Sequence, residues 1–171
     1  MAIDKIQSES INLTDDFAFT GTVTGAGGNN VPAFFAISTS TEDNTNVSDN
    51  TWTKKTLSTE VYDTDGKYTS SRFTPTVAGK YFVYAKAILQ NTISGSEERI
   101  AIYKNGSDIG EPYRSHFRDG NSANAGFHNH TLNITIDLDT DDYVEMYIYK
   151  NDGGNTGGSY DAYFGAYKII T

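Results

Sequence analysis

The stretch from Phe73 to Tyr81, Phe-Thr-Pro-Thr-Val-Ala-Gly-Lys-Tyr, constrains this chain more than any other, because it joins an extended approach, a turn and a strand entry. Pro75 fixes its own φ and drives Thr74 into the extended region. Gly79 supplies a residue tolerant of positive φ directly before the next strand. From Tyr81 onward the sequence alternates, with Tyr81, Val83 and Ala85 on one face and Phe82, Tyr84 and Lys86 on the other, which is the two-residue period of a sheet. The segment reads as a strand launched from a corner.

The rest of the body repeats that grammar in short pieces. Ala33 to Ile37 opens it, Asn50 to Leu57 contains the only tryptophan, Trp52, and Asp63-Thr64-Asp65-Gly66 is a turn before Tyr68. Arg99 to Tyr103 alternates into Asn105-Gly106, a dipeptide suited to a type I′ hairpin because both residues accept positive φ. Leu132, Ile134, Ile136 and Leu138 share one face, as do Val144, Met146 and Ile148, and Tyr160 to Ile170 forms the closing strand. These are half-buried antiparallel strands. With 171 residues, 12 tyrosines, 9 phenylalanines and 16 glycines, the composition supports one sheet-on-sheet domain and no helical bundle.

Charge and cysteine content remove several functions. A net charge of −9 argues against phosphate-backbone binding, so nucleic acid is not an expected partner. With no cysteine, the fold needs no oxidising compartment, and its stability comes from packing or assembly. No run approaches the ~20 apolar residues of a membrane span, and Met1 to Ile6 shows no secretory leader, so no membrane insertion is expected.

The phrase aromatic-Thr-x-Pro-x-x-Gly-x-Tyr at Phe73 to Tyr81 resembles the core motif of the globular head of complement component C1q and its tumour-necrosis-factor-like relatives. Further matches follow in order across residues 31 to 171: Ala33-Phe34-Phe35-Ala36, Tyr103-Lys104-Asn105-Gly106, the Leu132 to Leu138 strand with Asp141-Asp142-Tyr143-Val144, and Tyr163-Phe164-Gly165-Ala166. On this resemblance Phe73, Pro75, Gly79, Tyr81, Asn105, Gly106, Asp142 and Gly165 carry the fold motif. Asp141 stands where the family usually has glycine, and Val83 and Tyr163 stand where it has phenylalanine. The loop from Tyr68 to Phe73 is also shorter than in animal members. The resemblance implies an all-β, two-sheet antiparallel jelly-roll sandwich, assembled as a trimer and acting in recognition, not catalysis.

Residues 1 to 30 form a separate segment ending in the linker Gly25-Ala26-Gly27-Gly28-Asn29-Asn30. Ser10 to Gly28 resembles a short segment recurrent in structural and tail-fibre proteins of tailed bacteriophages. The two resemblances together imply a trimeric head on a virion fibre or decoration protein, made in a bacterial host cytoplasm and extracellular in the particle. The amino-terminal segment would attach to other virion proteins, and the head would adhere to a host-surface glycan or protein. Two alternatives stand beside this: a purely structural trimerisation module of a phage fibre or capsid, and a bacterial secreted C1q-like binding protein.

Candidate binding chemistry falls on two regions read as loops. Arg114 to Phe127 carries Phe117, Arg118, Asn121 and Asn124, and Gly153 to Tyr160 ends in Tyr160; amide side chains beside aromatic rings suit carbohydrate. His128-x-His130, with His116 and Asp119 near in sequence, places two imidazoles on one strand face but fixes no third ligand at a familiar zinc spacing, which leaves polar residues on an exposed face or at a subunit seam. Asp137, Asp139, Asp141 and Asp142 form an acidic run that could take calcium at a three-fold axis; as a single strand end and turn it lacks the spacing of a calcium loop. No other cofactor is expected. No Gly-x-Ser-x-Gly elbow or phosphate loop occurs, and an enzyme is not expected.

Overall fold

The computed structural model describes residues 30–43, 45–91, 95–118, 126–153 and 158–169. The expected amino-terminal attachment segment therefore lies outside the described residues, as do Asn121, Asn124, Asp119 and Ile170. Among the described residues thirteen strands follow one another: β1 (Ala33–Ile37), β2 (Thr45–Asn46), β3 (Thr53–Lys54), β4 (Thr59–Asp63), β5 (Tyr68–Thr69), β6 (Arg72–Phe73), β7 (Gly79–Asn91), β8 (Glu97–Lys104), β9 (Ser107–Asp108), β10 (Arg114–Arg118), β11 (Gly126–Leu138), β12 (Val144–Asn151) and β13 (Gly158–Lys168). Among the described residues there is no helix.

Two antiparallel sheets face each other. The first runs β11-β7-β13-β1-β4 with β2 added on β13, and the second runs β10-β8-β12-β6-β5 with β3 on β12 and β9 on β8. Neighbours in space are mostly distant in sequence, so each sheet is stitched from both halves of the chain. The alternation expected of β7 is present: Tyr81, Val83, Ala85, Ala87 and Leu89 are buried between the sheets while Phe82, Tyr84, Lys86 and Ile88 face outward. Leu132, Ile134, Ile136 and Leu138 of β11 and Val144, Met146 and Ile148 of β12 point into the same core.

Aromatic rings close one end of that core. Phe34 lies 4.5 Å from Phe73, 4.8 Å from Tyr68 and 4.9 Å from Phe164, and Phe73 meets Tyr81 edge-on at 6.0 Å. Offset and edge-to-face contacts of this kind stabilise beyond their buried area. Gly79 at the start of β7 has φ of +150°, and the Tyr81 hydroxyl donates to the Val77 carbonyl at 2.5 Å, so the residues flanking the Pro75 corner are tied back to the strand they launch. Asn105 and Gly106 both have positive φ, 54° and 73°, as the hairpin requires.

Three expectations are corrected. Of the stretch from Asn50 to Leu57, only β3 is strand. Arg114 to Phe127 is not one long loop: Arg114–Arg118 is strand β10, paired residue for residue with β8, and Gly126 already begins β11. The closing strand, expected from Tyr160, starts earlier, at Gly158 within the stretch also read as a loop, and as β13 continues past a bulge where Asp161 has φ of +44°. That bulge is held by the Asp161 amide on Asp43 Oδ1 at 3.1 Å and the Ala162 amide on Ser38 Oγ at 3.0 Å.

Candidate functional site

Strand period dictates that the residues not used in the core are displayed on two outward faces. On the first sheet, register sets Tyr62 beside Phe35, Phe35 beside Gly165 and Gly165 beside Tyr84 in one row across β4, β1, β13 and β7. Tyr167 and Phe82 form the row on one side, and Ile37, Tyr163 and Lys86 the row on the other. The rings make a continuous lattice: Phe35 is 6.1 Å from Tyr62, 6.0 Å from Tyr84 and 5.8 Å from Tyr163, Tyr84 is 6.2 Å from both Phe82 and Tyr163, and Phe82 is 5.4 Å from Tyr167.

Gly165 explains how this lattice lies flat. A Cβ built there would stand 2.3 Å from Tyr84 Cζ and 2.4 Å from its hydroxyl, so the ring rests directly on the glycine backbone. A strand glycine without positive φ marks such a close approach. The Tyr84 hydroxyl lies 3.3 Å from that of Tyr62. Burial, and then the Tyr62 hydroxyl, push the Tyr84 phenol well above the usual tyrosine range. On the outer side of the lattice, β11 presents exposed Thr131, Asn133, Thr135 and Asp137, a polar border. At the far end Phe127, 62% exposed, packs edge-on against Tyr160 at 5.3 Å.

The three binding residues expected from sequence that lie among the described residues, Phe117, Arg118 and Tyr160, do not converge. Arg118 faces outward on the second sheet, Tyr160 faces outward on the first and bonds Gln90 Oε1 at 3.0 Å, and Phe117 turns to the open edge between the sheets, where its ring lies 4.2 Å from that of His128.

His128 is only partly exposed and His130 is not a surface residue. His130 is buried, and both rings turn toward the fully buried Glu98, whose Oε2 is 2.9 Å from His128 Nδ1 and 3.3 Å from His130 Nε2. Among the described residues Glu98 Oε1 has no hydrogen-bond partner. Sequence reasoning missed Glu98, yet the signal was present: it is in phase with Ile100 and Ile102 on β8, as His130 is with Leu132 on β11. Two lysines are also buried: Lys150 pairs with Asp152 at 2.5 Å, and Lys55 donates to the Glu42 carbonyl and Ser159 Oγ, both at 2.8 Å. Burial lowers the Lys55 ammonium below its usual range, against Asp43 and Glu42, which raise it.

The acidic run is divided. Asp137 is exposed and paired with Lys80 at 2.9 Å, and Asp139 and Asp141 are exposed. Asp142 is turned inward, accepting from the Asp139 amide at 2.8 Å and Asn105 Nδ2 at 2.6 Å and pairing with Lys104 at 2.7 Å. Burial acts to raise its carboxyl, but these donors prevail and hold it at about 2. The Tyr143 amide in turn donates to Asn105 Oδ1 at 2.9 Å, so the Asn-Gly hairpin and the Asp142 turn lock each other. Among the described residues no group of three His, Asp or Glu side chains is disposed to hold a metal ion.

Against known proteins, no protein-family model and no curated protein matches the sequence. Solved structures do match in fold. The globular domain of zebrafish complement 1qA superposes with a TM-score of 0.59 at 18% identity, covering 81% of this chain and 97% of that one. Eiger TNF from S. frugiperda gives 0.58 at 9% identity over 81% and 92%, and murine APRIL gives 0.56 at 11% identity over 80% and 98%. The fold is therefore an all-β jelly roll of the C1q and TNF type, as the resemblance implied.

Proposed function

We propose that this chain is a non-enzymatic recognition head that assembles as a homotrimer through the outward face of its first sheet. The observation that carries the reading is the aromatic lattice of Phe35, Tyr62, Phe82, Tyr84, Tyr163 and Tyr167, a contiguous ring surface on a strand-flat face with Tyr62 still 43% exposed. Monomers seldom leave a contiguous apolar patch on a sheet face open to water. Tyrosine suits a subunit seam, because its ring loses water while its hydroxyl finds partners at a partly wet contact. The polar border on β11 limits the patch on one side, which favours closure with a small number of copies over open stacking.

In this reading the sheet contributes assembly and the surfaces outside the seam contribute recognition. The setting is the one that the amino-terminal resemblance implies: a virion fibre or decoration protein whose head adheres to a host surface. Light scattering or sedimentation equilibrium tests the assembly, with a mass near three chains of 18.7 kDa expected. Tyr163→Lys, placed in the lattice, is expected to yield a folded monomer. A wild-type chain that stays folded and monomeric at micromolar concentration overturns the proposal. Immunogold labelling of parent particles and binding to susceptible cells test the adhesive setting, and a trimer that labels particles but binds no cell would point to the structural module.

A further inference from the structure

The outward face of the second sheet is built from different chemistry. All four arginines of the chain lie on it. Register sets Arg72 beside Glu145, Arg99 beside Tyr149, Arg114 beside Ala101 and Arg118 beside Glu97, across β6, β12, β8 and β10. Between them stand aromatic rings. Trp52 is 5.2 Å from Tyr149 and 5.8 Å from Tyr103, and Tyr103 stacks on Tyr147 at 3.9 Å with an interplanar angle of 15°. Three guanidiniums lie over rings: Arg72 over Tyr143 at 3.7 Å, Arg99 over Tyr149 at 5.6 Å and Arg114 over Trp52 at 5.6 Å.

Carboxylates fix these cations without using them up. Glu145, itself buried, holds Arg72 Nε at 3.0 Å and Lys54 Nζ at 2.8 Å; Asp108 takes Arg114 through two nitrogens; and Glu97 takes Arg99 and also His116, at 2.8 Å. Burial acts to raise Glu97 and Asp108, but the arginines prevail and keep both carboxyls ionised below the usual range. Among the described residues Arg72 engages Glu145 through Nε, which leaves its terminal N–H groups out of that ion pair, and the exposed Arg118 forms no ion pair. A guanidinium carries five donors, and one carboxylate occupies at most two of them in a fork. Counting Glu111, 3.7 Å from Arg114, five cations meet four carboxylates on this face, while the chain as a whole carries −9. An anion is thus met on this face by more cations than carboxylates, and partly exposed indole and phenol rings lie between them.

Aromatic platforms take the apolar faces of sugar rings or nucleobases, and planar guanidinium forks match carboxylates. The net charge of −9 opposes a dense phosphodiester polyanion and selects against the nucleobase option. The face crosses four adjacent strands, three spacings of about 4.8 Å, longer than a single sugar ring. We propose that this face, through Trp52, Tyr147, Tyr149, Arg99, Arg114 and Arg118, binds a carboxylated polysaccharide, with rings under sugar faces and guanidiniums on carboxylates. The inference deepens the recognition reading and rests on it, since assembly through the first sheet leaves the second open.

The full chain is tested on an array bearing uronate- and sialate-containing, sulfated but uncarboxylated, and neutral glycans, with affinities then titrated on the retained probe. Carboxylated glycans are expected to be retained and neutral ones not. Arg118→Ala, at an exposed position that leaves folding intact, and Trp52→Ala each weaken binding by roughly tenfold or more. Arg118→Lys restores only part of it, because a point charge replaces a fork. Retention of no carboxylated glycan, retention of sulfated glycans alone, or unchanged affinity in both alanine variants overturns the inference. Mass measured on the same samples separates the two proposals: a monomer that binds overturns only the trimer, and a trimer that binds nothing overturns only this face.

Discussion

Replacing Gly165 by alanine adds one methyl group to the most crowded point of the aromatic lattice, and its effect follows from the structure. The new Cβ would stand 2.3 Å from Tyr84 Cζ, 2.4 Å from its hydroxyl and 2.7 Å from Cε2. Carbon atoms rest at about 3.5–4.0 Å, so the ring tip has to lift by about 1.2 Å or more. Tyr84 cannot yield freely, because the same ring stacks on Phe35 at 6.0 Å, meets Tyr163 edge-on at 6.2 Å and bonds the Tyr62 hydroxyl at 3.3 Å. Overpacking of this kind costs about 1–3 kcal/mol per protomer, which for a chain of this length lowers Tm by about 2–12 °C. Calorimetry at fixed protomer concentration reads it, since the proposed assembly would make Tm concentration-dependent.

The decisive comparison is the same substitution in a Tyr84→Ala background. With the ring gone, alanine in place of a strand glycine is neutral or favourable by roughly 0.5–1 kcal/mol, so the cycle is expected to show a coupling of about 1–4 kcal/mol. An equal cost of Gly165→Ala in both backgrounds, within about 0.5 kcal/mol, would refute the account of Gly165 as the floor of the Tyr84 ring.

Two further changes test the corners. Gly79 differs from Gly165 in kind: its φ of +150° strains any side chain, whereas the atom its Cβ would meet, Lys168 Cε at 2.7 Å, ends a flexible chain. Gly79→Ala is expected to lose about 1–3 kcal/mol by denaturant titration, and Lys168→Ala is expected not to recover it; recovery would show that the constraint is steric and not conformational. At Asp142 the folded carboxyl sits at about 2, below its ordinary 3.8, so it contributes stability that is full above the unfolded value and is lost as pH falls through the folded one. Asp142→Asn should therefore flatten the acid limb of the stability curve between those two values, and an unchanged limb would mean that the donors around Asp142 do not hold its charge.

The sequence makes visible which residues share a face, because the period of two is local, and hides which strands become neighbours, because that is not. The β7, β11 and β12 cores, the Pro75 corner and the Asn105-Gly106 hairpin were legible for the first reason. β10 was not, since Arg-Ser-His-Phe-Arg has no apolar alternation and becomes a strand only through its ladder with β8. The two-residue turn at Ser70 and Ser71 was equally silent: both have positive φ, 51° and 57°, without a glycine or asparagine to announce it. Side-chain tethers support that turn instead, with Ser71 Oγ accepting from the Leu57 amide and the Tyr68 hydroxyl donating to the Leu57 carbonyl, each at 2.9 Å.

The same distinction decides where function sits. Loop residues such as Phe117, Arg118 and Tyr160 draw the eye in a sequence because they look unconstrained, yet in the fold they are strand residues pointing to three different places. What gathers residues into surfaces here is cross-strand register between segments far apart in the chain: Phe35, Tyr84 and Gly165 in one row of the first sheet, and Arg72, Arg99, Arg114 and Trp52 on the outward face of the second. A jelly roll leaves each sheet one face for its core and one for everything else. In this chain those two outer faces differ in kind, one a ring lattice with Lys86 beside it and the Lys80–Asp137 pair at its border, and the other rings interleaved with guanidiniums. Apolar rings on a flat face gain most from meeting their own kind, whereas rings held among fixed cations gain most from a ligand that brings both an apolar face and a negative charge. The proposed division, assembly on one sheet and recognition on the other, rests on that difference in chemistry.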